Sequence, residues 1–471
     1  MNLNEIRHAY FLGIGGIGMS AIARYLKSRG IDVSGYDKTP SDLTASLQEE
    51  GINITFEDSL ETLPSCIETA PEFALLVYTP AIPNDHTQLN HLRNKGYTLY
   101  KRSEVLGIIS KNAYCIAVAG THGKTTTSTL IAHLLHECNI NFTAFLGGIS
   151  ANYGTNYIHH TQGRDLFHDK PVVVLEADEF DRSFHRLNPD TAIITAIDPD
   201  HLDIYENEEA FREAFRIFAG KIKQGGQLIY HQSLREKWPE NIHCVAYGTH
   251  ATGIPSVACE NIKPKGDVFC FDVTSTLENE RKFMPDWQSG LPGFHNVENA
   301  TAAVAACFTL PGIIEDDLRK GVSSYRGAKR RFEYIFKSVE HVVIDDYAHH
   351  PQELNAIIGS VKALYPDKKL TGIFQPHLFT RTRDFAEGFA ESLDKIDFPI
   401  LLDIYPAREL PIPGITSEWL LGKMKNPAAK RMANNEVIDF IKISQPSLLL
   451  ILGAGDIDRL VPVIKEIYHG I

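Results

Sequence analysis

The run Ala119-Gly120-Thr121-His122-Gly123-Lys124-Thr125-Thr126-Thr127 combines residue types suited to holding the phosphates of a nucleoside triphosphate. Glycines let a backbone turn bring its N–H groups to an anion, and a helix starting there adds its dipole. In that arrangement Lys124 neutralises the outer phosphates and the Thr125 hydroxyl binds Mg²⁺, while Gly120, Thr121, His122, Gly123 and Thr126 complete the cradle. The loop is compressed relative to the common form, since only Thr121 and His122 separate its glycines.

Other groups could serve the same chemistry. Gly13-x-Gly15-Gly16-x-Gly18 is a dinucleotide fingerprint, with Asp37 placed 19 residues after Gly18. It indicates that a diphosphate can approach the backbone, and leaves open NAD of a dehydrogenase, another diphosphate, or a tight turn that binds nothing. Glu176 closes an apolar run and begins Glu176-Ala177-Asp178-Glu179, where Mg²⁺ or its water shell can be held. His201 follows the next apolar run. Imidazole is an unusual Mg²⁺ ligand, so His201 gains weight only beside Lys124, Thr125 and Glu176.

Asn296 and Asn299 stand three apart on a helical pattern, suited to a purine edge or to helix capping. Arg326, Lys329, Arg330 and Arg331 read either as a solvated junction or as cations that close over phosphates. Asp345-Asp346-Tyr347-Ala348-His349-His350-Pro351 and Gln375-Pro376-His377-Leu378-Phe379-Thr380-Arg381 each follow an apolar run. Both would sit at the carboxyl ends of parallel strands, where open α/β sheets bind ligands. His349 and His350 lack further ligands at zinc spacing.

These groups need strands and helices in alternation to carry them. Strands are expected at 8–12, 31–35, 74–78 and near 97–100, with a helix burying Met19, Ile22, Ala23 and Leu26. A strand at 114–119 feeds the phosphate loop, and Leu130, Ile131, Leu134, Leu135 and Cys138 form one face of the helix after it. Strands at 172–175, 191–197 and 227–230 follow, then runs near Val257 and at 269–273 that read as antiparallel and peripheral. A helix is expected at 296–309, strands at 342–346, 371–375, 400–404 and 448–452, a helix at 352–364, and a helix cap at Asp456. Strand–helix alternation implies parallel sheets, divided here into domains 1–110, 111–325 and 326–471.

The whole chain agrees. At 471 residues it exceeds a single core, and 43% hydrophobic with 22% charged residues is ordinary for a soluble globular protein. A net charge of −13 argues against a nucleic-acid surface. No apolar run approaches the roughly 20 residues of a membrane span, and the N-terminus lacks the pattern of a signal peptide. Seven scattered cysteines without a Cys-x-x-Cys pair suit reduced thiols in the cytoplasm. Monomer and weak dimer both stay open.

Taken in order, Gly-x-Gly-Gly-x-Gly-Met-Ser, Gly-Thr-His-Gly-Lys-Thr-Thr, Glu-Ala-Asp-Glu, His-Leu-Asp, His-Asn-x-x-Asn-Ala, Asp-Asp-Tyr-Ala-His-His-Pro and Phe-Gln-Pro-His resemble the Mur ligases, from about His8 to Asp456. The resemblance implies an α/β protein of three domains. These are an N-terminal Rossmann-like parallel sheet for UDP-sugar, a central P-loop ATP-binding domain, and a C-terminal Rossmann-like domain that binds the amino acid and closes over the site. It is closest to the branch that uses ATP and Mg²⁺ to join L-alanine to UDP-N-acetylmuramate. The near alternative is the murein-peptide recycling branch, which lacks the 374–381 stretch and Tyr405-Pro406-Ala407-Arg408-Glu409. Where later ligases of the pathway carry a carbamoylated lysine, this chain has Phe215 and Arg216.

The resemblance further implies that Gly13, Gly15, Gly16, Gly18 and Asp37 meet the UDP part. Lys124, Glu176, His201, His349 and Arg381 would serve catalysis, with Thr125, Glu176 and His201 on metal. Asn296, Asn299, Arg331 and Asp346 would serve the nucleotide, Asp346 at its ribose. Tyr347, His377 and Arg381 would serve substrate. Leu378 stands where some members have arginine, so Arg381 is the expected partner of the alanine carboxylate.

Overall fold

A computed structural model describes residues 2–168, 170–198, 205–249, 255–277, 280–407 and 409–470. Its strands form three sheets, each continuous with one expected stretch of strand–helix alternation. The first holds β1 (His8–Leu12), β2 (Asp32–Tyr36), β3 (Asn53–Thr55), β4 (Ala74–Tyr78) and β5 (Leu99–Lys101), in the order β3-β2-β1-β4-β5. The second begins with β6 (Tyr114–Ala119), β7 (Phe142–Phe145), β8 (Tyr157–His160), β9 (Val172–Glu176) and β10 (Thr191–Ile194). It continues with β11 (Gln227–His231), β12 (His243–Thr249), β13 (Val257–Lys265), β14 (Val268–Ser275) and β15 (Lys282–Ser289), ordered β15-β14-β13-β12-β11-β10-β6-β9-β7-β8. The third holds β16 (Glu333–Lys337), β17 (Val342–Asp346), β18 (Leu370–Phe374), β19 (Phe398–Leu401), β20 (Lys430–Arg431) and β21 (Leu448–Leu452), ordered β16-β17-β21-β18-β19-β20.

The central strands are apolar throughout because helices cover both faces of a parallel sheet. All five residues of β21, Leu-Leu-Leu-Ile-Leu, are buried. Strand order then places each loop. β1 pairs parallel with β2 and β4, β6 with β9 and β10, and β21 with β17 and β18. In each sheet the chain leaves such a central strand, or its neighbours, at a carboxyl end where the order reverses. In open α/β sheets such points are where ligands bind.

The chain divides into two compact units. One comprises 1–260, 273–285 and 298–325; the other comprises 261–272, 286–297 and 326–471. In the first, Phe184, Phe211, Phe215 and Phe218 belong to a core that also takes in Leu26, Val77 and Ala119, so the first two sheets share one apolar interior. In the second, Ile373, Leu449, Ile451, Val437 and Ile464 form a core of their own.

Several expectations shift. The strand expected over 191–197 stops at Ile194, because its partner β6 ends at Ala119, opposite Ile194, and Thr195 N makes the last bond, to Ala119 O at 3.0 Å. The run near Val257 is not antiparallel to its neighbour on that side: β13 pairs parallel with β12, Tyr247 opposite Val257. Side-chain alternation reports which face is buried, and carries no information about partner direction. Asp456 does not cap a helix with its side chain; Gly455 precedes the turn, and the Gln375 amide donates to Asp456 Oδ1 at 2.8 Å. The β7–β8 hairpin and strands β12, β15 and β16 are additions, short or half-exposed and lacking the continuous apolar signal of the central strands.

Candidate active site

β6 ends buried at Ala119, and the chain turns through Gly120–Gly123 into the helix Lys124–Glu137. Gly123 has φ +79°, a left-handed conformation, and a Cβ there would lie 2.4 Å from Asn299 Oδ1. Asn299 Oδ1 also accepts from the Thr127 hydroxyl at 3.4 Å, so Asn299 stands against the loop. Thr121 N donates to Ala196 O at 3.0 Å, and the Thr121 hydroxyl accepts from Asp198 N at 3.1 Å. The loop is therefore braced from the end of β10. His122 lies 3.6 Å from Asp198 Oδ2.

The acidic run after β9 divides its work. The Thr125 hydroxyl donates to Glu176 Oε2 at 2.8 Å. A Cβ at position 147 would fall 2.0 Å from Glu176 Oε2, so only glycine leaves room for that carboxylate. Asp178 pairs with Arg102 at 3.2 Å. Glu179, 2% exposed, meets the Lys124 ammonium. Burial penalises the charge on Lys124, but Glu179, then Asp178 and Glu176, more than offset it, and its pKa rises. Burial also raises the Glu179 carboxyl, against the pull of Lys124. His201 lies outside the described residues, as does Arg408.

In the first sheet, the fingerprint turn leaves β1 into the helix Ile17–Ser28, with Gly16 extended at its start. Gly15 N donates to Asp37 Oδ2 at 2.7 Å, and Asp37 Oδ1 receives Thr39 N at 3.3 Å, so Asp37 holds the turn itself. Gly13 has φ +87°, and the Arg102 guanidinium lies over Gly18. Arg102 thus links the fingerprint turn to the acidic run.

The second unit presents side chains at the ends of β17 and β18. Asp345, 1% exposed, accepts from Arg330 Nε at 3.1 Å. Asp346 accepts from Phe332 N and from Ala348 N, each at 2.8 Å, and burial raises its carboxyl to about 6. Tyr347 lies under both Arg330 and Arg331. His349 Nδ1 donates to Tyr347 O at 3.0 Å, leaving Nε2 as the acceptor. Burial lowers the His349 pKa to about 4 despite Glu353, so the imidazole is neutral at pH 7. Glu353 accepts from His349 N at 3.0 Å and stands 3.7 Å from Arg331. The His349 and His377 rings are 6.2 Å apart, and His377 stacks on Tyr405. Arg381 is buried and near enough to oppose protonation of His349. The Asn296 amide donates to Pro292 O at 2.6 Å within its own turn.

Three family models match in order: the Mur ligase family catalytic domain over 8–114, the Mur ligase middle domain over 118–307, and the Mur ligase glutamate ligase domain over 330–455. The chain belongs to the Mur ligases. It is 47% identical to the UDP-N-acetylmuramate–L-alanine ligase of Flavobacterium johnsoniae, over 100% of this chain and 99% of that one. The crystal structure of UDP-N-acetylmuramate-alanine ligase from Thermotoga maritima superposes with a TM-score of 0.80 at 27% identity, covering 98% of this chain and 99% of that one. The MurF ligase of Thermotoga maritima in complex with ADP shares the fold, with a TM-score of 0.60 at 14% identity over 86% of this chain and 92% of that one.

As a Mur ligase, this chain has no lysine at 215 or 216. Phe215 is fully buried, and Arg216 is committed to Glu209, Glu213 and Glu236. Leu378 has φ +67° and opens the short helix Phe379–Asp384, which carries Arg381. Sequence alone does not single out Glu179, Gly147, Arg102 or Glu353: Glu179 is one of several carboxylates in its acidic run, Glu353 lies four residues after His349 at a helix start, and Gly147 and Arg102 carry no local signal.

Proposed function

We propose that this protein joins L-alanine to the lactyl carboxylate of UDP-N-acetylmuramate, with ATP converted to ADP and phosphate, in peptidoglycan precursor synthesis. The observation that carries the reading is the near-complete overlap, at 47% identity, with a ligase of that name. The phosphate loop supports it independently, because Lys124, Thr125 and Glu176 converge at one helix start.

A carboxylate and an ammonium do not condense in neutral water, so the γ-phosphoryl group supplies a leaving group. A carboxylate oxygen bonds to the γ-phosphorus while the bond to ADP breaks. The amine of alanine then bonds to the acyl carbon, loses a proton, and phosphate departs. The protein's part is positioning and charge neutralisation. Lys124 serves the β and γ oxygens, and Asn299 and Asn296 the adenine. The Thr125 hydroxyl and Glu176 carboxylate, 2.8 Å apart, are hard oxygen donors that fit Mg²⁺, with His201 as a further ligand. Mg²⁺ there would neutralise phosphate charge. The turn at Gly13, Gly15, Gly16 and Gly18 receives the UDP diphosphate. Arg331 and Asp346 serve the nucleotide; Tyr347, His349, His377 and Arg381 receive the amino acid. Domain limits near 110 and 325 and a cytoplasmic setting complete the reading; among the described residues no helix is long and apolar enough to cross a membrane.

A phosphate-release assay with an amino-acid panel tests this. Release should require both UDP-N-acetylmuramate and an amino acid, with L-alanine preferred over glycine by about 10–200-fold, the discrimination one methyl group provides. Preference for a tripeptide would transfer the protein to the recycling branch. Release without any amino acid would refute ligation.

A further inference from the structure

We infer that Glu179 is an internal counter-ion that competes with nucleotide phosphates for Lys124, and so sets how tightly the loop holds ADP. The inference rests on the nucleotide reading of the loop. Three carboxylates, Glu176 at the end of β9 and Asp178 and Glu179 just after it, each have a separate partner. Glu176 receives the Thr125 hydroxyl and Asp178 pairs with Arg102, so Glu179 is the member of the run that meets the lysine. Its backbone is pinned, since its carbonyl accepts from Arg182 N at 3.0 Å and from the Tyr205 hydroxyl. The side chain is held in place, not swung in from solvent.

An ammonium group has three N–H donors. Lys124 uses two of them, on Gly120 O at 2.6 Å and Glu179 Oε1 at 2.8 Å; Glu179 Oε2 lies 2.8 Å from Nζ but accepts no hydrogen bond. A phosphate that draws the ammonium towards itself weakens its ion pair with a buried carboxylate, a cost charged against nucleotide binding. The same pair favours release of spent nucleotide, because Glu179 is waiting to reclaim the lysine. Glu179 acts through Lys124 and is a positioning residue.

Calorimetric titration of Mg²⁺-ADP into the full-length protein and into Glu179→Gln tests the competition. The variant should bind ADP about tenfold more tightly, within the usual span of coupling between two sites. In a Lys124→Ala background the same substitution should leave ADP affinity unchanged, which a merely structural role for Glu179 would not produce. Equal or weaker ADP binding by Glu179→Gln overturns the competition alone. No heat from either protein overturns the nucleotide reading and the competition together. If Glu179→Gln does not fold, Glu179→Asp, one methylene short of the lysine, decides. Tighter binding supports the proposal and unchanged binding refutes it.

Discussion

The loop after β6 is a glycine turn with few polar side chains, and the end of β17 is crowded with them. Gly120 and Gly123 both stand at positive φ, and the side chains at the helix start, Lys124 and Thr125, are tied to Glu179 and Glu176. Around β17 the charged groups are already paired with one another or with backbone: Asp345 with Arg330, Asp346 with two N–H groups, Glu353 with His349 and Arg331. On the proposed function the loop must exchange partners during turnover, whereas the Asp345–Arg330 pair, which that reading does not use, keeps its own. A change at Lys124 should therefore be felt chiefly as lost activity, and a change at Asp345 chiefly as lost stability.

The largest effect should come from Lys124→Ala. Removing the cation at the β and γ oxygens should lower kcat by a factor of hundreds or more, measured by phosphate release on protein whose circular dichroism matches the parent. Near-normal turnover would erase the contrast, because the loop would then work through backbone alone. The next effect should come from Asp345→Asn. It removes the nearer of two carboxylates paired with Arg330, leaving Asp458 at 3.8 Å, from a position where Asp345 is 1% exposed, and should cost about 3 kcal/mol in the urea transition. A loss well under 1 kcal/mol would mean that the strand-end pairs are as exchangeable as those of the loop.

The loop was legible because its chemistry is local. Two glycines, a lysine and a threonine at fixed spacing specify a strand-to-helix turn before any fold is known. The central strands were legible for a related reason: burial on both faces leaves continuous apolar runs, and 8–12, 74–78, 342–346 and 448–452 agree with the observed strands to the residue. Which carboxylate meets which cation was not legible. Glu176, Asp178 and Glu179 lie within four positions, and only the turn from β9 into the short helix Phe180–Arg186 sends them to three different partners. The approach of His349 to His377 likewise depends on β21 standing between β17 and β18, an order that sequence does not reveal. Asn296 and Asn299 looked equivalent by spacing, yet one amide closes its own turn while the other faces Gly123.

The central claim is that the terminal phosphoryl group passes to a carboxylate before the amide forms. Its most direct test uses UDP-N-acetylmuramate labelled with ¹⁸O in the lactyl carboxylate, turned over with ATP and L-alanine. The phosphate released is then read by mass spectrometry. Transfer through an acyl phosphate predicts one labelled oxygen in each phosphate, carried away when the acyl carbon–oxygen bond breaks. Phosphate free of label, formed at the same rate as the amide, would contradict the account.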